Sequence, residues 1–289
     1  MSIKRILIPT DFSETAELAI QHGIYMTRLF NAKLFLLHSI ESFTSTVDPD
    51  EPILLMEPEI TLRTEEQKLE LMANKISKQY NIEVSGITTA GRPTKRIADT
   101  VRENEIDIII MGTHGVDGLE ELLVGSNTHR VVNLVPCPVI SIQKFIKKVE
   151  FSNILVPINN DFYSRQKINN VIELAAGYKS TIHILGLPET DNPVDNKKFQ
   201  IKIDSVENAL KHAHIPFVKK MSNGNNLATE AMKYCEDAKC DLIAIMTGHE
   251  SILNGMFAKQ IINHSKIPVL SIKHKETTME DFMVMGGDN

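Results

Sequence analysis

Three strand-like motifs occur twice in this chain, in the same order. Lys4-Arg5-Ile6-Leu7-Ile8-Pro9 is echoed by Ser152-Asn153-Ile154-Leu155-Val156-Pro157. Asp107-Ile108-Ile109-Ile110-Met111 is echoed by Asp241-Leu242-Ile243-Ala244-Ile245-Met246, and Pro138-Val139-Ile140-Ser141-Ile142 by Pro268-Val269-Leu270-Ser271-Ile272. A repeat of this length means one unit duplicated in tandem, with the junction near Phe145 to Phe151. The expected units are 1–145 and 151–275, with a patternless, mobile tail over 276–289. The 289 residues fit two domains of ordinary size, each able to bury a core of its own.

Within the first unit, strand and helix patterns alternate. Arg5 to Pro9 is an apolar strand. Ser13 is an N-cap before Glu14 and Glu17, and a helix runs to about Phe30. Lys33 to Ser39 is the second strand. Glu41 to Ile60, with Pro49, Pro52 and Pro58, reads as a loop, and Thr64 to Tyr80 as an amphipathic helix. Ile82 to Thr88 is a strand, and Pro93 opens the next helix. Ile108 to Met111 is apolar throughout, as in a parallel strand covered on both faces. A helix over Thr128 to Leu134 and a strand over Val139 to Ile142 complete the unit. Such alternation predicts right-handed βαβ units and an α/β fold with helices on both faces of a parallel sheet.

Composition narrows the function. Net charge is -6, from 31 basic and 37 acidic residues, with no Lys/Arg-rich tract, a poor match for nucleic acid. No apolar run approaches the ~18 residues of a membrane span, and the start lacks a signal-peptide pattern. Cys137, Cys235 and Cys240 have neither zinc-knuckle nor C-x-x-C spacing, so reduced, packed thiols in a cytoplasm are expected. The methionines, such as Met26, Met72, Met111 and Met246, read as core packing.

Chemistry concentrates in Gly112-Thr113-His114-Gly115, followed nine residues later by Gly125-Ser126. Ligands of open parallel sheets bind beyond the carboxyl ends of the strands. Glycine lets backbone N–H groups approach a phosphate. Gly125, Ser126 and Asn127 stand at a predicted helix start, which suits an anion, and the Ser126 and Thr128 hydroxyls offer further hydrogen bonds. Glycines also end strands for purely structural reasons, and spacing alone leaves both readings open. Neither G-x-G-x-x-G nor G-x-x-x-x-G-K-[ST] is present. Ser126 is not in a G-x-S-x-G elbow, and Gly248-His249-Glu250 lacks the second histidine of H-E-x-x-H. His114 reads as a loop residue near a phosphate, and Arg130 and His129 as a solvated helix face unless Arg130 reaches that phosphate.

The spacing G-x2-G-x9-G-[ST] resembles the ATP-binding signature of the universal stress protein family. Ile6 to Asp11, Gly91-Arg92-Pro93, Asp107 to Gly115 and Pro136-Cys137-Pro138-Val139 match the family's surroundings. The resemblance covers 3–143 strongly and 152–273 more weakly. It implies two tandem Rossmann-like domains of the adenine nucleotide alpha hydrolase-like kind, each a five-stranded parallel sheet of order 3-2-1-4-5. It implies ATP as ligand. Asp11 maps onto the nucleoside contact, with Pro9 and Thr10 beside it. Ser39 and Ile40, after His38, map onto the adenine contact. Met111, Gly112, Gly115, Gly125, Ser126, Asn127 and Thr128 map onto the phosphate loop. Asp11 is also the candidate ligand for magnesium. ATP, AMP and a cyclic adenine nucleotide all fit this pattern. Family members pair through the last strand, so Val139 to Ile142 and Val269 to Ile272 are expected to pair within one molecule, as a pseudo-dimer, with a homodimer as a further arrangement.

The second unit departs from the signature. Asn159 stands at the place of Asp11. An ungapped match puts Met246 and His249 where Gly112 and Gly115 stand, and a one-residue slide puts Thr247 and Glu250 there. Gly255 matches Gly125, but Met256 replaces Ser126. One competent nucleotide site per chain is therefore expected, in the first unit. The expected function is a regulatory ATP-binding protein of the stress response with at most slow hydrolysis and no identified catalytic residue. The alternatives are an adenine-nucleotide phosphohydrolase and a nucleotide-independent interaction protein.

Overall fold

The computed structural model describes residues 2–41, 58–113, 126–144, 146–189, 192–222, 226–248 and 252–274. The first half runs β1 (Arg5–Pro9), α1 (Glu14–Phe30), β2 (Lys33–Ile40), α2 (Pro58–Tyr80), β3 (Val84–Ala90), α3 (Pro93–Glu103), β4 (Ile108–Gly112), α4 (Ser126–Leu134) and β5 (Val139–Ile142). The second runs β6 (Asn153–Asn159), a 3-10 turn (Phe162–Arg165), α5 (Ile168–Tyr178), β7 (Thr181–Leu187), α6 (Pro193–His212), β8 (Phe217–Met221), α7 (Leu227–Asp237), β9 (Leu242–Thr247), α8 (Ile252–His264) and β10 (Val269–Lys273). The calls on Gly115, Gly125, His114, His249, Glu250 and the 276–289 tail lie outside the described residues.

All described strands form one sheet of order β3-β2-β1-β4-β5-β10-β9-β6-β7-β8. Each half therefore has the order 3-2-1-4-5, with parallel neighbours throughout. The halves meet through β5 and β10, which are antiparallel, with Leu270 opposite Ile140 and Ser271 opposite Val139. This is the expected pairing of the two last strands.

Side chains alternate between two apolar layers. Ile6, Ile8, Ile154 and Val156 face α1, α2, α5 and α6, whereas Leu7, Ile109, Leu155 and Ile243 face α3, α4, α7 and α8. Ser13 caps α1, its Oγ accepting from the Ala16 N–H at 3.2 Å, and Asn31 ends it in a left-handed conformation. The helix expected from Thr64 starts earlier, at Pro58, because proline's missing N–H and fixed φ suit a first helical turn. β3 begins two residues later than expected, because Asn81 turns left-handed at the end of α2 and places Val84 opposite Leu34.

The repeated aspartates start the sheet in each half. Asp107 Oδ2 accepts from the Lys4 and Arg5 N–H groups at 2.8 and 2.9 Å. Asp241 accepts from the Ser152 and Asn153 N–H groups at 3.0 and 2.9 Å, with Lys148 Nζ at 2.7 Å. Aromatic rings close the seam between halves. Tyr178 packs on Tyr25, Phe30 and Phe151, and His22 stacks on Phe151. All three cysteines are buried and unbridged.

Candidate functional site

The strand order reverses at β1, which lies between β2 and β4. The crevice there opens beyond the strands' carboxyl ends, where such sheets bind ligands. Pro9, Thr10 and Asp11 leave β1, Ser39 and Ile40 end β2, and Met111 and Gly112 end β4. Ser126, Asn127 and Thr128 form the first turn of α4. The described members of the predicted set thus gather at one edge of one half.

Their side chains have distinct duties. Asp11 is exposed, and its Oδ1 accepts from the Ser13 N–H at 3.0 Å. Thr10 is buried. Its N–H donates to Leu37 O at 2.8 Å and its Oγ1 accepts from the Phe12 N–H at 3.1 Å. Ser39 Oγ donates to Gly91 O at 2.8 Å, tying β2 to the end of β3. The Met111 side chain belongs to the apolar layer, so it offers the crevice only its backbone. Asn127 and Arg130 are exposed.

Gly112 has a packing reason. A Cβ there would lie 2.8 Å from Thr15 Cγ2 and 3.1 Å from the Thr15 backbone carbon. The strand end therefore passes directly against the first turn of α1. Thr128 Oγ1 donates to Gly112 O at 3.2 Å. That bond fixes the start of α4 against the end of β4.

A second layer of residues surrounds the β1 loop. His38 Nδ1 lies 2.8 Å from Thr10 O, and its Nε2 lies 3.8 Å from Glu65. Lys68 Nζ stands 3.7 Å from the Phe12 ring centroid and 3.5 Å from Glu65. The helix carrying Lys68 reads in sequence as amphipathic. Its approach to Phe12 joins residues far apart in the chain, and no local pattern announces it.

Comparison with known proteins agrees with this geometry. The model of the universal stress protein family matches residues 2–143. The universal stress protein MJ0577 of Methanocaldococcus jannaschii is 30% identical over 154 residues, covering 49% of this chain and 95% of that protein. The chain belongs to the universal stress protein family. Universal stress protein MJ0531 of the same organism is 28% identical over 141 residues, covering 49% of this chain and 82% of its own length. A universal stress protein of Archaeoglobus fulgidus shares the fold across both halves, with a TM-score of 0.74 at 18% identity, covering 95% of this chain and all of that one.

The second half of this universal stress protein carries other residues at the same crevice. Ile6 pairs with Ile108 as Ile154 pairs with Leu242. That register puts Asn159 at the position of Asp11 and Met246 at that of Gly112, so the ungapped match is the structural one. Counting from Val139 and Val269, which pair alike with Ile109 and Ile243, Ala258 stands where Thr128 does. The staple from helix to strand end is therefore absent at that position. Lysines occupy the loop instead. Lys202 Nζ donates to Asn159 O and Asp161 O at 3.0 and 2.6 Å, and the buried Lys167 donates to Ser164 O at 2.6 Å. Burial lowers Lys167 to about 7 and Lys202 to about 8, against the opposing pull of Asp161.

Among the described residues no group of three His, Cys, Asp or Glu side chains is arranged to hold a metal. No described helix is long and apolar enough to cross a membrane.

Proposed function

We propose that this universal stress protein binds one ATP per chain, in the crevice of its first half, as a regulatory ligand. The observation that carries this reading is the meeting of Asp11, Gly112 and the α4 N-terminus at the point where the strand order reverses. The donor set suits the ligand. Asp11 is an exposed acceptor for a ribose hydroxyl. The first N–H groups of α4 lack helical partners and favour phosphate oxygens. Gly112 leaves the strand end bare of side chain.

In this reading, Ser39 and Ile40 bound the adenine side, and Gly115, Gly125 and Ser126 are the phosphate residues that the family's signature implies. Thr10 and Thr128 position their neighbours. A magnesium ion would enter with the phosphates, with Asp11 as its protein ligand. Bound ATP would act by shifting the chain's affinity for a partner. The two units, 1–145 and 151–275, divide the work: the first holds the nucleotide and the second completes the sheet. Met246 in place of Gly112 puts a side chain where phosphate would approach, which disfavours a second nucleotide there.

The test is to denature the purified protein and identify and count the released nucleotide by mass spectrometry. About one ATP per chain is expected. Two per chain would overturn the asymmetry, and ADP would favour the hydrolase reading. No nucleotide, with none bound on adding ATP, would refute the proposal.

A further inference from the structure

Both halves end their third α-helix with the same backbone closure, but with different side chains. At the end of α3, Ile106 N–H donates to Val101 O at 3.0 Å around a left-handed Glu105, φ +47°. At the end of α7, Cys240 N–H donates to Cys235 O at 2.9 Å around a left-handed Lys239, φ +53°. The aspartate that follows, Asp107 or Asp241, fixes the correspondence. Such a closure is the Schellman end of a helix, and it sets the side chains of its two outer residues against each other.

Val101 and Ile106 fill this place in the first half with an apolar contact, and all four residues belong to the same apolar layer. Packing here therefore asks only for apolar groups. The second half sets two thiols face to face instead, and the Cys235 thiol engages that of Cys240. A disulfide needs its Cα atoms about 4.4–6.8 Å apart, a span that suits two residues already joined by a direct backbone bond. Both cysteines are buried, at 7% and 5% exposure. Glu236, Asp237 and Lys239 between them are exposed, so the pair lies at the rim of the layer.

We infer that Cys235 and Cys240 are a modification site, a thiol pair that hydrogen peroxide closes reversibly to a disulfide. One thiol attacks a peroxide oxygen, giving a sulfenic acid and one water. The other thiol attacks that sulfur, forming the S–S bond and releasing a second water. The two sulfurs together lose two electrons, and the two peroxide oxygens gain them. The bond between the thiols and their burial hold Cys235 above the ordinary thiol range, so the pair rests protonated and reacts slowly beside an exposed thiolate. Once one sulfur is oxidised, its partner is already in place, ahead of any thiol from solution. The site takes nothing from Asp11 or Gly112, so it does not depend on the nucleotide proposal.

The test exposes the full chain, first reduced, to hydrogen peroxide, and then denatures it and alkylates it with N-ethylmaleimide. All three cysteines should alkylate before oxidation, and Cys137 alone after it. Burial pushes the Cys137 thiol up to about 12, which makes it the inert control. Trypsin cleaves after Lys239, between the pair, so the two cysteine peptides should stay joined until dithiothreitol parts them. Gel filtration before denaturation should show the oxidised chain eluting as the reduced one does. The inference is overturned if peroxide leaves all three thiols open to alkylation, or if Cys235 and Cys240 end as separate sulfinic or sulfonic acids. It is equally overturned if either pairs with Cys137, or if the joined peptides arise only in chains that elute as unfolded. Cys235→Val with Cys240→Ile installs the first half's own pair. That variant should fold and keep Cys137 fully alkylated after peroxide; loss of Cys137 there would show that peroxide reaches buried thiols at large, which also overturns the inference.

Discussion

Gly112 serves two masters at once. Its lack of a side chain lets the end of β4 pass against Thr15, and in the proposed function it also leaves the strand end open to phosphate. Gly112→Ala should therefore lower stability even without nucleotide, by about 1–3 kcal/mol, the usual scale of overpacking. Urea midpoints of the nucleotide-free protein check this. An unchanged midpoint would mean the first turn of α1 yields freely. Thr128→Val tests the neighbouring staple. Losing the bond to Gly112 O should cost about 0.5–1.5 kcal/mol in the same measurement. These residues also show where reading sequence stops. The glycine spacing and its place after an apolar strand were legible, because they follow chain order. That Thr128 gives its hydroxyl to Gly112, or that Thr15 crowds the same spot, depends on how α1, β4 and α4 pack. No spacing rule encodes that.

At the scale of elements, the repeated aspartates explain why the motif recurs. Asp107 holds two N–H groups at the entry of β1, and Asp241 does the same for β6. The repeat preserves a tie between the first and fourth strands of each half, where β1 and β4 share only a short register. Asp107→Ala leaves those donors to water at a partly covered edge, and a loss of about 1–3 kcal/mol is expected. Asp107→Asn should retain part of it, since the amide oxygen still accepts. Hydrogen exchange at Lys4 and Arg5 reports the tie directly: it should quicken in Asp107→Ala while exchange in β6 stays unchanged. Strands and most helices were legible because buried β-branched runs and caps are local signals. The start of α2 was not, because Pro49 and Pro52 just before it made Pro58, which opens the helix, read as one more loop proline.

Across the whole molecule, the seam decides whether the halves act as one body. Beyond the β5–β10 pairing, it rests on Tyr178, Phe151, Tyr25 and Phe30, with His22 buried beside them. Gly177 has its own place here, because a Cβ would enter the Phe30 ring. Burial lowers His22 from 6.5 to about 4, outweighing the Ile146 backbone and Glu150, which pull the other way. The sign follows from proton counts. Between those two values the unfolded chain binds the proton and the folded chain does not. Stability from this group is thus complete above about pH 6.5, declines as pH falls, and is fully lost below about pH 4. At pH 5 the loss is about 2 kcal/mol relative to pH 7.5. His22→Leu removes the titrating group while keeping an apolar side chain in the seam. Its absolute stability will change through the lost stack on Phe151, but the difference between urea unfolding free energies at pH 7.5 and pH 5 should shrink by about 2 kcal/mol. An unchanged difference would mean that the ring takes up its proton within the folded seam.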